Sequence, residues 1–213
     1  CRRVHEATEI RLARVHDVIG QNAQIIAPTS RVIRGADIPD SAKRELREAD
    51  AQAVRTAIGD VPQDVSVAYH ILLGLSSHDL SAMREMLGAP RGVLSATQRF
   101  GGTSITAAFD YGDFVCNFET TIDRIPRYDT HIEVYTGTDV IRVDYNTPYV
   151  RNYPTTLSVT GAPNPHGMQI VTGHDWGDNF VEEWRAFANH IHDGSRPKTA
   201  PADFAEDLAL FEQ

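Results

Sequence analysis

Apolar and polar residues change their spacing several times along this chain, and each change predicts a new element. Residues 11–20 and 25–34 mix β-branched with polar residues, which is typical of strands. The spacing then changes to steps of three and four residues, which predicts a helix with an N-cap at Asp40 or Ser41 and an end at Gly59. The other side of this helix is charged and is expected to face solvent.

A second helical pattern follows, with apolar residues recurring at similar steps over residues 62–87 and Gly88 in position to end it. A single long helix fits this pattern. The alternative is a break at Gly74, with a new start at the capping signal SSHD. The sequence leaves both interpretations open.

The stretch from residue 92 to residue 173 alternates apolar and polar positions in short β-branched runs, which predicts strands. Tight-turn signals at DYGD and TGTD separate some of these runs, so we expect an antiparallel meander. The predicted runs are GVLSATQRF, SITAAFDYG, FVCNFETTI, THIEVYTG, DVIRVDY, TTLSVTG and MQIVTG.

The chain closes with two helical patterns, at residues 178–194 and 200–213. The first has Asp178 as a cap, Gly194 as a terminator and an apolar stripe. Strands followed by segregated helices predict an α+β fold, an open and mostly antiparallel sheet with its helices packed on one face. The members of the stripe are Phe180, Trp184, Phe187 and Ile191.

The sheet face without helices must meet water or another chain. The alternation places apolar residues on alternate faces, Ile105, Ala107 and Phe109 in one strand and Val115 and Phe118 in the next, together with many threonines. Neither face is therefore expected to be strongly polar. Such a face suits self-association, and we expect a homodimer or homotetramer formed through the sheet. A wet, threonine-rich face on a monomer is the alternative.

Composition narrows the class of protein. The 213 residues are 41% hydrophobic and 23% charged, which is typical of a globular protein with a sizeable core. The net charge of -9 argues against nucleic-acid and anionic-membrane partners, and no apolar run of about 18 residues is present to span a bilayer.

Two cysteines form no disulfide framework, so we expect a reducing, cytoplasmic location. Because the chain begins at Cys1 without an initiator methionine or a signal peptide, we expect it to be part of a longer protein.

Motifs for cofactors, nucleophiles and metals are weak or absent. Neither GxGxxG nor GxxxxGK[ST] occurs, so this chain by itself is expected to bind no dinucleotide. The segment GLSSH at residues 74–78 departs from the GxSxG nucleophile elbow. The His-Asp pairs at residues 16–17, 78–79 and 174–175 lack HxH or HExxH spacing, so we expect no metal site. A metal-dependent isomerase or hydrolase is the least favoured alternative.

His78 is the residue whose role the spacing leaves open. On a helix it shares a face with Gly74 and Ala82. A lone helical histidine is usually a structural residue, yet histidine also exchanges a proton near neutral pH.

Residues 72–96, LLGLSSHDLSAMREMLGAPRGVLSA, resemble the segment that opens the C-terminal domain of the Gfo/Idh/MocA oxidoreductases, the relatives of glucose–fructose oxidoreductase and inositol dehydrogenase. The family pattern is an Asp, three residues, a His, then an apolar helix ending in Leu-Gly and a strand beginning with Val. Residues 178–213 are similar to the closing helices of the family, TEIRLARVHD is similar to its first C-terminal strand, and CRRVHEA is similar to the stretch just past its last Rossmann strand. The ordered set covers nearly the whole chain.

This resemblance implies the substrate-binding and oligomerisation half of an NAD(P)-dependent dehydrogenase that acts on a sugar, cyclitol or related polyol. Residues 1–213 would form one domain, with residues 1–9 as the remnant of its junction with an absent Rossmann domain. The full-length protein would bind NAD or NADP, whereas this chain alone would bind no cofactor and have no turnover.

The resemblance places the proton-transfer role of the family on His78. The preceding Asp of the motif falls on Gly74, and the further acid falls on Ser81, which are departures from the pattern. Gly74 either opens space for a larger substrate or another acid, with His16 or Asp17 filling in, or marks a catalytically decayed, dimeric sugar-binding scaffold. Further substrate-binding candidates are Arg3, Asn22 and Tyr69.

Overall fold

An eight-stranded sheet and seven α-helices make up the described part of the chain. The computed structural model describes residues 2–7, 9–31, 33, 35–161, 170–197 and 199–213, and for residues 2, 3 and 170–175 it describes the backbone only. The helices are α1 (Arg2–His5), α2 (Asn22–Ile26), α3 (Asp40–Ile58), α4 (Gln63–Ile71), α5 (Ser77–Leu87), α6 (Asn179–Asp193) and α7 (Pro201–Phe211). The strands are β1 (Ile10–Ile19), β2 (Gly92–Arg99), β3 (Ser104–Asp110), β4 (Val115–Ile122), β5 (Tyr128–Thr136), β6 (Asp139–Tyr145), β7 (Thr155–Gly161) and β8 (Ile170–Asp175).

The strand order is β2-β3-β4-β1-β5-β6-β7-β8, with β1 inserted between two strands that follow each other in sequence. β1 runs parallel to β4, and the other six neighbouring pairs are antiparallel. The α+β class with an open, mostly antiparallel sheet is therefore confirmed. The predicted meander was wrong between β4 and β5, where β1 is inserted. The helices between β1 and β2 give the chain enough length to return and place β4 parallel to β1.

The loop at residues 123–127 crosses the end of β1 at Gly20. The Gly20 amide donates to the carbonyl of Arg127 at 2.8 Å, and the amide of Asp123 donates to the carbonyl of Ile19 at 3.0 Å. A Cβ on Gly20 would lie 1.9 Å from the carbonyl oxygen of Ile125, so only glycine leaves room for this crossing. The crossing allows β4 and β5 to flank β1.

The strand predicted over residues 25–34 was wrong. Ile25 and Ile26 belong to α2, and the described residues that follow, 27–31, form turns and irregular backbone. β-branched residues favour a strand only where a partner strand is available, and both neighbours of β1 are already β4 and β5.

The helix predicted over residues 62–87 is continuous but contains a π turn at Leu72–Ser76 between α4 and α5. Both sequence interpretations were thus partly right, since the chain neither breaks at Gly74 nor stays a regular α-helix there. A π turn adds one residue to a helical turn and is frequent at functional sites.

The core lies between the sheet and the helices α4 and α5. Alternate residues of the central strands face these helices and are buried, and Cys116 lies 3.6 Å from Met83 across the layer. Buried residues of this core include Ala13, Val15, Phe118, Ile132 and Val134 from the strands and Leu80, Met83 and Met86 from α5.

The opposite sheet face, which we call the open face, differs from the sequence prediction. Strand pairing puts Ile105, Phe109 and Phe118 together on the helix side, and Val115 of β4 lies on the open face, as the alternation predicted for Val115 and Phe118. The open face instead carries the residues that alternate with the buried ones along each strand. Many of these residues are charged and form ion pairs with one another. Its charged and polar members include Arg14, His16, Asn117, Glu119, Asp129, His131, Glu133, Arg142 and Asp144.

The amphipathic helix predicted near the C-terminus is α6, with Asp178 as its N-cap and Gly194 in the left-handed conformation at its end. The Asp178 carboxylate accepts from the amides of Phe180 and Val181 at 3.0 and 3.2 Å. No side chain of α6 is buried, and Trp184 is 70% exposed, so its apolar stripe does not pack on the sheet within the described residues. None of the described helices combines the length and apolar character needed to cross a bilayer.

Candidate functional site

The π turn and the start of α5 present Gly74 and His78 at the surface. Both residues are exposed, although the neighbouring Asp79 and Leu80 point into the core. A Cβ added at Gly74 would meet no atom within 4 Å, so packing does not require glycine at this position. An imidazole at position 78 is therefore accessible from outside the domain.

His78 lines a groove of about 710 Å³ between α5 and α7. Ser81, Ala82 and Glu85 continue the wall on α5, and Asp203 and Phe204 form the wall on α7. The ordinary helical spacing of residues 78, 81, 82 and 85 puts these side chains on one face. The groove is open, so a small polar molecule can reach the imidazole.

A pair of buried carboxyl groups lies on the core side of α5, beside His78. Asp17 of β1 is 1% exposed and Asp79 of α5 is 3% exposed, and their carboxyls are close enough for each to affect the pKa of the other. The Thr120 hydroxyl donates to Asp17 Oδ2 at 3.1 Å, and the Tyr145 hydroxyl donates to Asp79 Oδ1. We call these four residues the acid cluster.

The acid cluster holds a proton at a pH where an exposed carboxyl does not. Burial raises the pKa of Asp79 well above its ordinary value, and the negative charge of Asp17 raises it further. Burial also raises the pKa of Asp17, while the hydrogen bond from Thr120 opposes that rise. The charge of His78 lowers the pKa of Asp17, so the imidazole and the cluster interact electrostatically. Two coupled carboxyls of this kind titrate as a unit.

Replacing Asp79 with asparagine should change how stability depends on pH. The folded pKa of Asp79 lies above its unfolded value of 3.8, so its contribution is fully present below that value and is lost as pH rises through the folded pKa. Between these two pKa values the wild type should lose up to about 1.4 kcal/mol of unfolding free energy per pH unit relative to the variant, the limit for one proton. Urea unfolding of both proteins at a series of pH values measures this difference.

The matched control is Asp60→Asn, which changes an exposed aspartate in the turn after α3. Its unfolding free energy should stay parallel to that of the wild type across the series. A constant difference between Asp79→Asn and the wild type at every pH would contradict the raised pKa of Asp79.

The structure brings only some of the predicted site residues together. Asp17 lies close enough to His78 for the imidazole charge to lower the pKa of its carboxyl, and Gly74 precedes His78 by one helical turn. His16 points to the open face, away from α5, so it cannot complete the position that Gly74 leaves vacant in the family motif. Of the two β1 candidates, Asp17 faces the helix side of the sheet.

The remaining three candidates lie elsewhere or outside the described part. Tyr69 is 6% exposed, and burial and the charge of Glu212 raise its pKa, which places it in the core near the end of α7 rather than in the groove. Asn22 is exposed at the start of α2. Arg3 belongs to α1, and its side chain lies outside the described residues.

Sequence reasoning missed Asp79, Thr120 and Tyr145 as members of the site. The sequence of β1 did contain a signal that such partners exist. Asp17 continues the inward series of Ala13 and Val15, and burying a carboxyl costs folding free energy unless other groups hydrogen-bond to it. Nothing in the sequence shows which other strand or helix supplies the partners.

Comparison with solved structures shows which proteins share this fold. No protein-family model and no curated protein sequence matches the chain. Solved structures do match, and they are oxidoreductases of the Gfo/Idh/MocA type, so the fold that the sequence resemblance implied is confirmed.

Three of these structures show the extent of the likeness. One is KijD10, a 3-ketoreductase from Actinomadura kijaniata in complex with TDP-benzene and NADP, with a TM-score of 0.60 and 16% identity over 99% of this chain and 54% of that chain. Another is UDP-N-acetylglucosamine 3-dehydrogenase GnnA from Acidithiobacillus ferrooxidans, with a TM-score of 0.60 and 13% identity over 99% of this chain and 55% of that chain. The dehydrogenase MviM from Clostridium difficile has a TM-score of 0.61 and 11% identity over 99% of this chain and 55% of that chain. The chain therefore spans about half the length of the proteins whose fold it shares.

Proposed function

We propose that this chain is the substrate-binding and oligomerisation domain of a cytoplasmic, NAD(P)-dependent oxidoreductase that acts on a sugar, cyclitol or related polyol. His78 is the proton-transfer residue. The cofactor belongs to the half of such proteins that this chain does not span, because the described residues contain no glycine-rich turn between a strand and a helix.

The observation that carries this proposal is the placement of His78. The imidazole is exposed at the rim of an open groove and interacts electrostatically with a buried acid cluster. A structural histidine would instead be expected inside the core with both nitrogens hydrogen-bonded. The likeness of the whole chain to parts of dehydrogenases and a ketoreductase also supports the proposal of an oxidoreductase domain.

The chemistry of the groove follows from these groups. An imidazole exchanges a proton near neutral pH, so His78 can accept the proton of a substrate hydroxyl during oxidation and return it during reduction. The nicotinamide supplies hydride chemistry when it is bound.

A second candidate function is a sugar-binding scaffold whose catalysis has been lost. Gly74 favours it, because the space around this position accommodates a side chain and yet the family acid is missing. In the first proposal, Asp17 supplies the negative charge beside His78 instead. The two candidates differ in turnover and agree in binding.

Self-association through the open face belongs to both candidates. Positive and negative side chains alternate on this face, with Arg142 Nη1 2.8 Å from Glu133 Oε1 and Arg14 Nη1 3.8 Å from Glu133 Oε2. A face that carries both signs of charge can pair with a second copy of itself around a two-fold axis. Size-exclusion chromatography with light scattering should give the mass of a dimer or tetramer, and a monomer mass would contradict this part alone.

The experiment that tests the function uses the natural polypeptide that contains this chain, purified and assayed with NAD⁺ and NADP⁺ against sugars, cyclitols and sugar nucleotides. We expect formation of reduced nicotinamide, followed by its absorbance, with at least one of these substrates. Binding of a panel member by calorimetry without turnover would support the scaffold instead. Neither turnover nor binding across the panel would contradict both candidates.

A further inference from the structure

Two histidines and an aspartate meet at the centre of the open face, on the opposite side of the sheet from His78. His16 of β1 is directly paired with His131 of β5, and Asp129 lies two residues earlier on the same side of β5. Glu119 of β4 is paired with His16 on its other side. His16 is more than 100 residues from Asp129 and His131 in sequence, so spacing rules cannot find the cluster.

The donor atoms of this cluster are close together but do not bond to one another directly. His16 Nε2 lies 3.5 Å from Asp129 Oδ2, and His131 Nδ1 lies 3.8 Å from Asp129 Oδ1. The imidazole rings are stacked with their centroids 4.7 Å apart. One donor atom from each residue lies within 4.8 Å of the other two.

These separations suit a shared metal ion better than hydrogen bonds. Ligand atoms bound to one tetrahedral ion at about 2.0–2.1 Å are about 3.3 Å apart. The two His–Asp129 distances run to different carboxylate oxygens, and each exceeds this value by only a few tenths of an ångström. With one ligand atom from each residue, no separation exceeds 4.8 Å, so the longest needs to close by up to about 1.5 Å.

His131 provides an independent sign that a ligand is expected here. Its side chain is only 9% exposed, and its Nδ1 atom is buried without a hydrogen-bond partner. Buried polar atoms in proteins are nearly always satisfied, so an orphaned imidazole nitrogen calls for a partner. The Oδ1 atom of Asp129 lies 3.8 Å from this nitrogen, which is too far for a hydrogen bond.

The outer nitrogens of both imidazoles face carboxylates. His16 Nδ1 is 2.8 Å from Glu119 Oε1, and the tautomer that donates this hydrogen bond leaves Nε2 as an acceptor directed towards Asp129. His131 Nε2 lies 3.8 Å from Glu133 Oε2, and a proton on Nε2 leaves Nδ1 as the free acceptor. Metal-binding histidines characteristically have such a carboxylate behind them.

With these tautomers, two acceptor nitrogens surround an acceptor carboxylate with no proton between them. A cation placed among the three atoms removes this repulsion and satisfies His131 Nδ1. We propose that His16, Asp129 and His131 bind a divalent transition-metal ion, with Zn²⁺ as the ion that this donor set suits best. Three protein ligands leave a fourth position for water or a small anionic or neutral ligand.

The experiment uses the natural polypeptide, purified without a histidine tag, stripped with a chelator and titrated with Zn²⁺ against a chromophoric competitor. We expect one equivalent per chain, and we expect Co²⁺ to give the visible absorption of a four-coordinate site. His131→Gln and Asp129→Asn should each weaken binding by at least about 100-fold, and Glu119→Gln by about 10–100-fold through loss of the carboxylate behind His16.

The matched control is His70→Gln, because His70 is also held by a carboxylate, with Nε2 2.9 Å from Asp50 Oδ2, but belongs to α4 and bonds to α3, away from the open face. This variant should bind Zn²⁺ like the wild type, and circular dichroism should show that all variants are folded. Binding of less than one equivalent, or affinity that is unchanged in His131→Gln, would overturn the proposal. The result is independent of turnover at His78, since the two sites lie on opposite sheet faces.

Discussion

Replacing His78 with asparagine in the natural polypeptide should lower kcat for the oxidised polyol or sugar by about 10²–10⁴-fold, the range for loss of a positioned acid–base group. Asparagine keeps a polar side chain at the rim of the groove but cannot accept the substrate proton. KM should change less, because a hydroxyl can still donate to the asparagine carbonyl. Steady-state kinetics over a range of pH measures both parameters.

The matched control for this change is His192→Asn on α6, which replaces an exposed histidine outside the groove. It should leave kcat and the pH profile unchanged. If His78→Asn retains full turnover with the same pH profile, the imidazole has no part in proton transfer, and the scaffold function is then favoured.

Replacing Arg84 with alanine should lower the free energy of unfolding by about 3–5 kcal/mol, the effect of breaking a buried ion pair on one side. The Arg84 side chain is 8% exposed and donates from Nε to Asp207 Oδ1 at 2.7 Å and from Nη1 to Glu206 Oε2 at 2.8 Å. Without it, the Asp207 side chain, only 2% exposed, is a buried charge with no counter-ion. Urea unfolding measures the change, and the melting temperature should fall by roughly 6–20 °C.

Arg185→Ala is the control for this prediction, because Arg185 pairs with Glu182 on α6 and both side chains are more than half exposed. An exposed pair of this kind contributes about 0.5 kcal/mol or less. Equal losses in the two variants would show that Arg84 does not anchor α7 to α5. The prediction bears on function as well, because α7 forms one wall of the groove beside His78.

Much of the fold could be predicted from the sequence because local patterns determine it. The alternation in residues 92–161 defined β2 to β7, and Asp178 and Gly194 marked the ends of α6. The insertion of β1 between β4 and β5 could not be predicted, since pairing depends on contacts between distant segments. Ile25 and Ile26 misled the strand prediction for the same reason, as β-branched residues form strands only beside a partner.

The sequence was sufficient to predict the exposed residue of the candidate site, His78, but not the buried residues of the acid cluster. The resemblance of residues 72–96 to a family motif identified His78, and the structure leaves this side chain exposed on α5. The acid cluster needs β1, β4, β6 and α5 to come together, so no local pattern reveals that Asp79 and Tyr145 are bonded. The pairing of His16 with His131 likewise depends on the register between β1 and β5.

Two consecutive residues of β1 belong to two different clusters. His16 faces the open face and Asp17 faces the helix side, because successive side chains of a strand point to opposite sides of the sheet. An insertion or deletion of one residue in this strand would exchange the two side chains, carrying the carboxyl outward and the imidazole inward. The acid cluster and the open face are therefore constrained together, because a change of register in β1 would disrupt both.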